Sequence, residues 1–395
     1  MDYALSACDF VEGRLPEVSR VAERMAERHL AGGMIGFASM GAPMAPELHG
    51  RSGGIMHIGF ERPWSQDRSD RQKAQDMALV ELDASSGVEM LQEMRDLKKR
   101  GCALIGFGPQ AAPQIREHVR LCDVFFDNGV GAQDAVVRAG RGRTGRGGML
   151  VNTLFGWVLV AEHVSALTRH GAMPIMAKSY LYDDGRAWWD NHFQKGRAFH
   201  RNGEYEVAAI SPGHLGREFL DRIRWHLRRL RRHEMEDIQR AGFLIAQELR
   251  RGRKTIVAFV GHMPYGYLGK GDDSAWVEKW DMWWGGFPEM TRFRRDVPDG
   301  ALTMRLGYAG LHANVQALFA EKRQRVILVT GEHTGADYQL TDEFRRCMVV
   351  HIDLGYAMGD SCVAIPGYPF RILPPSGIMQ FVAYEAINAE VQARR

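Results

Sequence analysis

The sequence predicts an α/β protein built from two doubly wound parallel-sheet lobes, and three observations predict it. Short apolar runs of strand type alternate with stretches of helical spacing along the chain, the pattern of parallel strands joined by helical crossovers. The order of parts repeats: strand and loop at 34–43 matches 255–264, strand and helix at 77–100 matches 301–321, and strands at 102–107 and 123–126 match 325–330 and 348–352. In both halves the last of these strands runs into a similar string, DNGVGAQDAVV (127–137) and DLGYAMGDSCVAI (353–365), and each half ends in a long apolar helix, 149–167 and 377–391. With 395 residues the chain can hold two domains of ordinary size. The expected division is a first lobe over 1–212, a long basic connecting helix over 213–252 and a second lobe over 253–395.

The elements follow in order. Leu15, Val18, Val21, Met25 and Leu30 recur at helical spacing, and Gly32-Gly33 stops that helix. A buried strand over 34–38 leads to a helix carrying Glu47 and His49, and 54–60 reads as the next strand. Polar residues 61–75 form a surface loop. The clearest unit is 76–109: a strand at 77–82, the turn cluster Asp83-Ala84-Ser85-Ser86-Gly87, a helix with Val88, Leu91, Met94 and Leu97 on one face, and a strand at 102–107. Its small-residue loop offers hydroxyls and free N–H groups to an anion at a helix N-terminus, and Ser85 or Ser86 equally serves as a helix cap. RAGRGRTGRGG (138–148) has no core-forming residue and reads as a solvated loop, or as a grip for phosphate. Residues 215–250 read as one long helix with arginines around several faces, the pattern of a solvated helix or a subunit contact. Tryptophans crowd 276–284, as core, interface or sugar-stacking platform.

Composition excludes several classes. Hydrophobic residues make up 45% and charged residues 25%, with a net charge of +3, so the overall balance does not call for nucleic acid. Five scattered cysteines without C-x-x-C spacing read as reduced core residues, not a disulfide framework or a zinc ribbon. No apolar run is read as reaching the length of a membrane span, and the N-terminus lacks a basic start and an apolar signal core. A cytoplasmic protein is expected, and the apolar and aromatic content at the lobe ends predicts a homo-oligomer.

The segments GFASMGAPMAPELHGRSGG (36–54), LVELDASSGVEML (79–91) and CDVFFDNGVGAQDAVV (122–137), followed by the apolar helix, resemble the SIS (sugar isomerase) domain family. Tandem lobes are similar to those of its amino-sugar-phosphate isomerases and deglycases. The resemblance spans roughly 15–170 and 235–392. It implies two flavodoxin-like lobes and a carbohydrate ligand, with Ser39, Ser85, Ser86 and Gly87 on ligand-loop positions. The sequence departs from the family in its thin hydroxyl loop, in Glu89 where many members have Thr, and in Gly307-Tyr308-Ala309-Gly310 where the second lobe's hydroxyl loop should be.

Aldose–ketose isomerisation needs a base to move a proton between adjacent carbons and an acid to open the ring, so Glu and His near neutral pKa are the candidates. Glu47 and His49 follow the first strand, His262 follows the first strand of the second half, and Glu332 follows its third. These four are the expected proton carriers, and each can instead be an ordinary surface or loop residue. His312 opens a helix and is a candidate for substrate binding, with helix capping as the other use. No metal-ligand spacing, Walker loop or G-x-G-x-x-G is recognisable, so no metal and no cofactor are expected. The expected function is a sugar-phosphate or amino-sugar-phosphate isomerase or deglycase. The alternatives are an isomerase-like enzyme for an unphosphorylated sugar, a non-catalytic sugar-phosphate sensor, and an RNA-binding protein that uses the arginine segments.

Overall fold

The computed structural model describes all residues except 40–43, 60–67, 132–133, 141, 194–196, 260–267, 282–286, 308–310 and 332–338. The first lobe begins with two helices, α1 (Asp2–Glu12) and α2 (Leu15–Leu30), of which α1 is unanticipated. Pro16 sits in the first turn of α2, where no N–H is needed. The chain continues through β1 (Ile35–Phe37), α3 (Met44–Leu48), α4 (Asp70–Lys73), β2 (Met77–Glu81), α5 (Val88–Lys99), β3 (Ala103–Gly108), α6 (Arg116–Leu121) and β4 (Val124–Asp127). The helix α4 lies inside the expected polar loop, where Ser69 and Gln72 form a reciprocal capping box.

RAGRGRTGRGG is not a solvated loop. An antiparallel hairpin, β5 (Ala135–Ala139) and β6 (Gly142–Arg146), runs through it, and α7 (Gly147–Arg169) starts at its end. The chain then forms α8 (Gly185–His192), α9 (His214–His233) and α10 (Met235–Arg250). The run read as one helix is therefore two. They part at Glu234, whose Oε2 accepts the backbone N–H of Asp353 at 3.1 Å. α9 packs on α1 and α7, while α10 packs on the second lobe. Arg217, Arg222, Arg228, Arg231 and Arg232 of α9 are exposed, as a solvated face predicts, while buried Arg224 faces Asp9, Glu12 and Asp221 and half-buried Arg229 faces Asp353.

The second lobe holds β7 (Thr255–Phe259), β8 (Val277–Asp281), α11 (Phe287–Asp296), β9 (Leu302–Leu306), α12 (Ala313–Glu321), β10 (Arg325–Thr330), α13 (Asp342–Cys347), β11 (Met348–Asp353) and α14 (Ser376–Arg394). β8 lies within the tryptophan-rich stretch, where no strand is expected from the sequence; Trp276 and Trp280 are core residues beside and within it.

Both sheets are parallel. The second has the order β11-β10-β9-β7-β8. Counted along its own lobe, that is the 2-1-3-4-5 order of doubly wound flavodoxin-like sheets. The first has β1-β2-β3-β4, and the strand expected over 54–60 is reduced to a single parallel bridge from Ile58 to Ile35 on the outer side of β1. With that remnant counted, the first lobe has the same order. The reversal of strand order therefore falls between β1 and β2 in one lobe and between β7 and β9 in the other.

α7 and α14 are the two core helices. α7 is 23 residues long, with a mean hydropathy of 1.4 over its most apolar window, so by length and composition it reaches the size of a membrane span, contrary to the sequence expectation. All of that window is covered by protein, chiefly α2, α9 and α1. Truncating wholly buried Leu154 or Val158 to Ala would cost about 2–5 kcal/mol through lost transfer energy and the cavity left behind. One continuous apolar cluster holds Leu79 of β2, Leu154 of α7, Leu306 of β9 and Ile378 of α14, so the two sheets share a core.

Candidate functional site

In doubly wound sheets the ligand crevice lies at the carboxyl ends of the strands flanking the reversal of strand order. In the first lobe these are the ends of β1 and β2. Ser39 stands two residues beyond β1, half-buried, and Asp83 to Gly87 follow β2. The structure therefore brings Ser39, Ser85, Ser86 and Gly87 to the two loops of one edge.

The turn after β2 is closed on itself. Asp83 Oδ1 accepts the Ser85 N–H at 2.8 Å and the Ser85 Oγ–H at 2.7 Å, and Ser86 Oγ accepts the Asp83 N–H at 3.0 Å. This is the local side-chain turn that Asp and Ser favour. The N-cap position of α5 falls on Gly87, without a side-chain cap. His118 Nε2 lies 3.1 Å from the Gly87 carbonyl.

Two carboxyl groups absent from the sequence expectation stand behind this turn. Glu81 is the last residue of β2 and is buried. Its Oε2 accepts the Met44 N–H at 2.6 Å, and its Oε1 accepts from Asn152 Nδ2 at 3.1 Å. Asn152 Oδ1 in turn accepts from Asn128 Nδ2 at 3.1 Å, just beyond β4. Burial pushes the Glu81 carboxyl up to about 7, against those two hydrogen bonds, and repulsion from Asp83 and Asp134 adds to the rise. Asp134 accepts the Gly148 N–H at the start of α7. Burial raises it to about 6, with Asp83 contributing and Arg146 opposing. A Cβ on Gly148 would come within 2.9 Å of Asn128 Nδ2 and 3.0 Å of Asp134 Oδ1, so this helix start requires glycine.

Glu47 belongs to a second cluster. It is fully buried on α3, with Oε1 accepting from Trp157 Nε1 at 3.3 Å and lying 3.7 Å from Arg51 Nη2. Among the described residues its Oε2 has no hydrogen-bond partner. Arg51 also meets Asp360 Oδ2 at 3.0 Å and donates to Ser376 Oγ, at the start of α14 in the other lobe. Burial pushes the Glu47 carboxyl up to about 7; Arg51 opposes the rise and Asp360 adds to it. Gly377 leaves room for this carboxylate, since a Cβ there would lie 2.1 Å from Oε1. Glu47 thus faces the interlobe packing. His49, two residues on, turns elsewhere, with Nδ1 2.8 Å from the Ile58 carbonyl oxygen.

His312 occupies the N-cap position of α12, where its carbonyl accepts the Val315 and Gln316 N–H groups at 3.0 and 3.1 Å. His262 and Glu332 lie outside the described residues, as do Tyr308 to Gly310. In the second lobe Arg305, next to last on β9, is buried, and desolvation lowers its pKa to about 9.

The sequence does carry a signal for Asp134. In the repeated strings, Asp127 and Asp353 accept the N–H groups of Gly129 and Gly355 at 3.1 and 2.8 Å. Asp134 and Asp360, seven residues further on in each half, accept the first N–H groups of α7 and α14. D-x-G-x4-D is thus a turn-and-cap device used twice. Glu81 gives no such signal, because one acid at the end of an apolar strand reads as an ordinary strand end.

No family model and no curated protein matches the chain. Among solved structures, a protein of Silicibacter pomeroyi provisionally described as a phosphosugar isomerase is similar over 100% of this chain and 96% of its own, at 12% identity and a TM-score of 0.51. A protein of Salmonella typhimurium provisionally described as sugar-binding is similar over 100% and 98%, at 11% identity and a TM-score of 0.50. The tandem-lobe sugar-isomerase (SIS-type) fold expected from the motifs is the fold this chain has.

Proposed function

We propose that the chain binds a carbohydrate at the carboxyl edge of its first sheet and moves a proton between adjacent carbons, as an aldose–ketose isomerase or deglycase does. The observation that carries this reading is the place of Glu81, a buried carboxyl at the end of β2, between the loop that starts with Ser39 and the turn at 83–87, where burial also raises its pKa. A group half-ionised near neutrality can take a proton from one carbon and return it to the next. The descriptions of the two structural neighbours, a phosphosugar isomerase and a sugar-binding protein, support the ligand class.

In this reading Ser39, Ser85, Ser86 and Gly87 meet sugar hydroxyls, and Asp134 keeps the start of α7 in place behind them. Glu47 acts as a positioning group between the lobes, with His49 holding the 58 segment. His262, Glu332 and His312 are the second-lobe candidates for ring opening and ligand contact. The working form is a cytoplasmic homo-oligomer.

The electrostatics favour a free sugar or an amino sugar at this edge. Ser85 and Ser86 bond to the Asp83 carboxylate, and Glu81, Asp83 and Asp134 repel one another, so a phosphate dianion there would meet like charge. A sugar phosphate is the second reading, favoured by buried Arg305 near the carboxyl end of β9.

The test is a thermal-shift panel of free sugars, amino sugars and their phosphates, followed by deuterium exchange from solvent into the stabilising ligand. A ligand that binds only the folded chain raises the midpoint by mass action. Glu81→Gln is expected to keep the shift and lose about 100-fold or more in exchange rate. Exchange that survives in this variant rejects Glu81 as the base. A shift without exchange in the wild type leaves a sugar-binding sensor.

A further inference from the structure

We propose that His192, His200 and Glu204 form a binding site for a divalent transition-metal ion of the zinc class. His192 closes α8 and His200 and Glu204 follow it in the chain, and their ligand atoms lie within 4.8 Å of one another. Glu204 Oε1 stands 3.4 Å from His200 Nδ1 and 3.9 Å from His192 Nε2. Bonds of about 2.0–2.1 Å at tetrahedral angles place neighbouring ligand atoms about 3.4 Å apart, so a small inward movement closes the set on one ion.

The outer groups fix which atoms face the centre. His192 Nδ1 lies 2.8 Å from the Trp188 carbonyl oxygen, which holds the proton on Nδ1 and leaves the Nε2 lone pair free. His200 Nε2 lies 3.1 Å from the Tyr368 hydroxyl. Glu204 Oε2 accepts the Arg201 N–H at 3.0 Å and has Arg197 Nη1 at 3.7 Å, which leaves Oε1 to the imidazoles. Metal-binding imidazoles and carboxylates are held by partners of this kind.

The second observation is the state of His200. Its side chain is 98% buried, and among the described residues its Nδ1 makes no well-formed hydrogen bond; it faces Glu204 Oε1 at a long 3.4 Å. A buried polar atom so weakly satisfied is costly, and a metal ion between the two would satisfy both. Two imidazoles and one carboxylate are the donor set of open tetrahedral zinc sites, with water in the fourth position. Glu204 is 29% exposed, which gives that water a way in.

The site joins parts distant in sequence. Tyr368 belongs to the second-lobe arm that follows β11, and Gly367, at φ +84, lies against the Glu206 carbonyl, which a Cβ would approach to 2.0 Å. A metal here staples the 173–210 segment to that arm.

The full-length protein is stripped with chelator, dialysed against Zn²⁺ and assayed for retained metal and thermal midpoint. Co²⁺ absorption reports the coordination geometry. The wild type is expected to retain about one equivalent, to gain thermal stability and to give a tetrahedral Co²⁺ spectrum. Glu204→Gln and His200→Asn should each weaken binding about tenfold or more, while His233→Ala, on an exposed residue far along the chain, should bind as wild type. A wild type that retains no zinc, or variants that retain it equally well, overturns the site. If neither variant folds, X-ray absorption of the zinc-loaded wild type decides: two imidazole nitrogens support the site and an all-oxygen shell rejects it.

Discussion

At the scale of single residues, the most consequential groups are carboxyls that the fold buries. Glu47 shows the sign clearly. Its folded value of about 7 lies above the ordinary 4.5, so the folded state holds the proton more tightly than the unfolded chain. The contribution is complete below pH 4.5 and is lost as pH rises through 7, a loss of about 3 kcal/mol for this group. Glu47→Gln keeps the shape and removes the titration, while Arg51 retains Asp360 and Ser376 as partners. Urea unfolding at pH 5 and pH 8 should therefore show a smaller loss of stability in the variant than in the wild type, by about 3 kcal/mol. An unchanged difference would mean that Glu47 is already ionised and fully offset by Arg51. Glu81 titrates in the same window, so its ionisation as a base would make turnover rise with pH through about 7, opposite in sign to the stability trend. In the sequence Glu47 was visible as a candidate because it sits on the first helix after the first strand, near the expected ligand edge, and a carboxyl there suits proton transfer. Its direction was not visible, because which side of a five-residue helix meets the other lobe depends on Trp157 and Asp360, over a hundred residues away.

At the scale of elements, the repeated D-x-G-x4-D string separates what a sequence shows from what it hides. The likeness of 127–137 and 353–365 was legible. Its purpose became clear only once Asp134 and Asp360 were seen to cap α7 and α14. The two caps should differ in cost. Asp134→Ala loses a helix-start acceptor, worth about 1–2 kcal/mol. Asp360→Ala also strips buried Arg51 of a carboxylate, which brings the penalty toward the 3–5 kcal/mol of a broken buried pair. Chemical denaturation of both variants at pH 7 tests the order, and an equal cost would show that Glu47 alone suffices for Arg51. Other elements were hidden for physical reasons. The β5–β6 hairpin has no apolar periodicity because its glycines and arginines are held by backbone pairing and by Arg143 donating to the Ala135 and Val136 carbonyls. β8 was masked by tryptophan, which fits core and interface equally well. The break at Glu234 is made by a tertiary hydrogen bond to Asp353, which no local propensity reports.

At the scale of the molecule, the two lobes exchange arms. The β5–β6 hairpin leaves the first lobe and lies on α14, where Arg146 meets Glu385 at 2.8 Å and buried Asp273 at 3.3 Å, and Asn388 donates to Thr144 at 3.1 Å. In return, the arm after β11 lies on the first lobe: Leu373 donates its N–H to the Gly53 carbonyl at 2.8 Å, and Arg51 meets Asp360. A Cβ on Gly53 would lie 2.4 Å from Ser361 Oγ, so the second contact leaves no room for a side chain. Each sheet keeps a cluster of its own on one face, but these exchanges and the shared apolar cluster tie the other faces of both sheets into one core. The prediction is that the lobes unfold as one unit although the sequence divides into two similar halves. Trp157 of α7 and Trp276 beside β8 are both wholly buried, one in each lobe, and each can report separately in a variant whose other eight tryptophans are replaced. Their denaturation midpoints should coincide in urea, as a cooperative transition requires. Arg146→Leu leaves Asp273 and Glu385 without their cation and should lower both midpoints together. If it lowers only the Trp276 transition, the hairpin is an ornament on the second lobe and each lobe is stable alone.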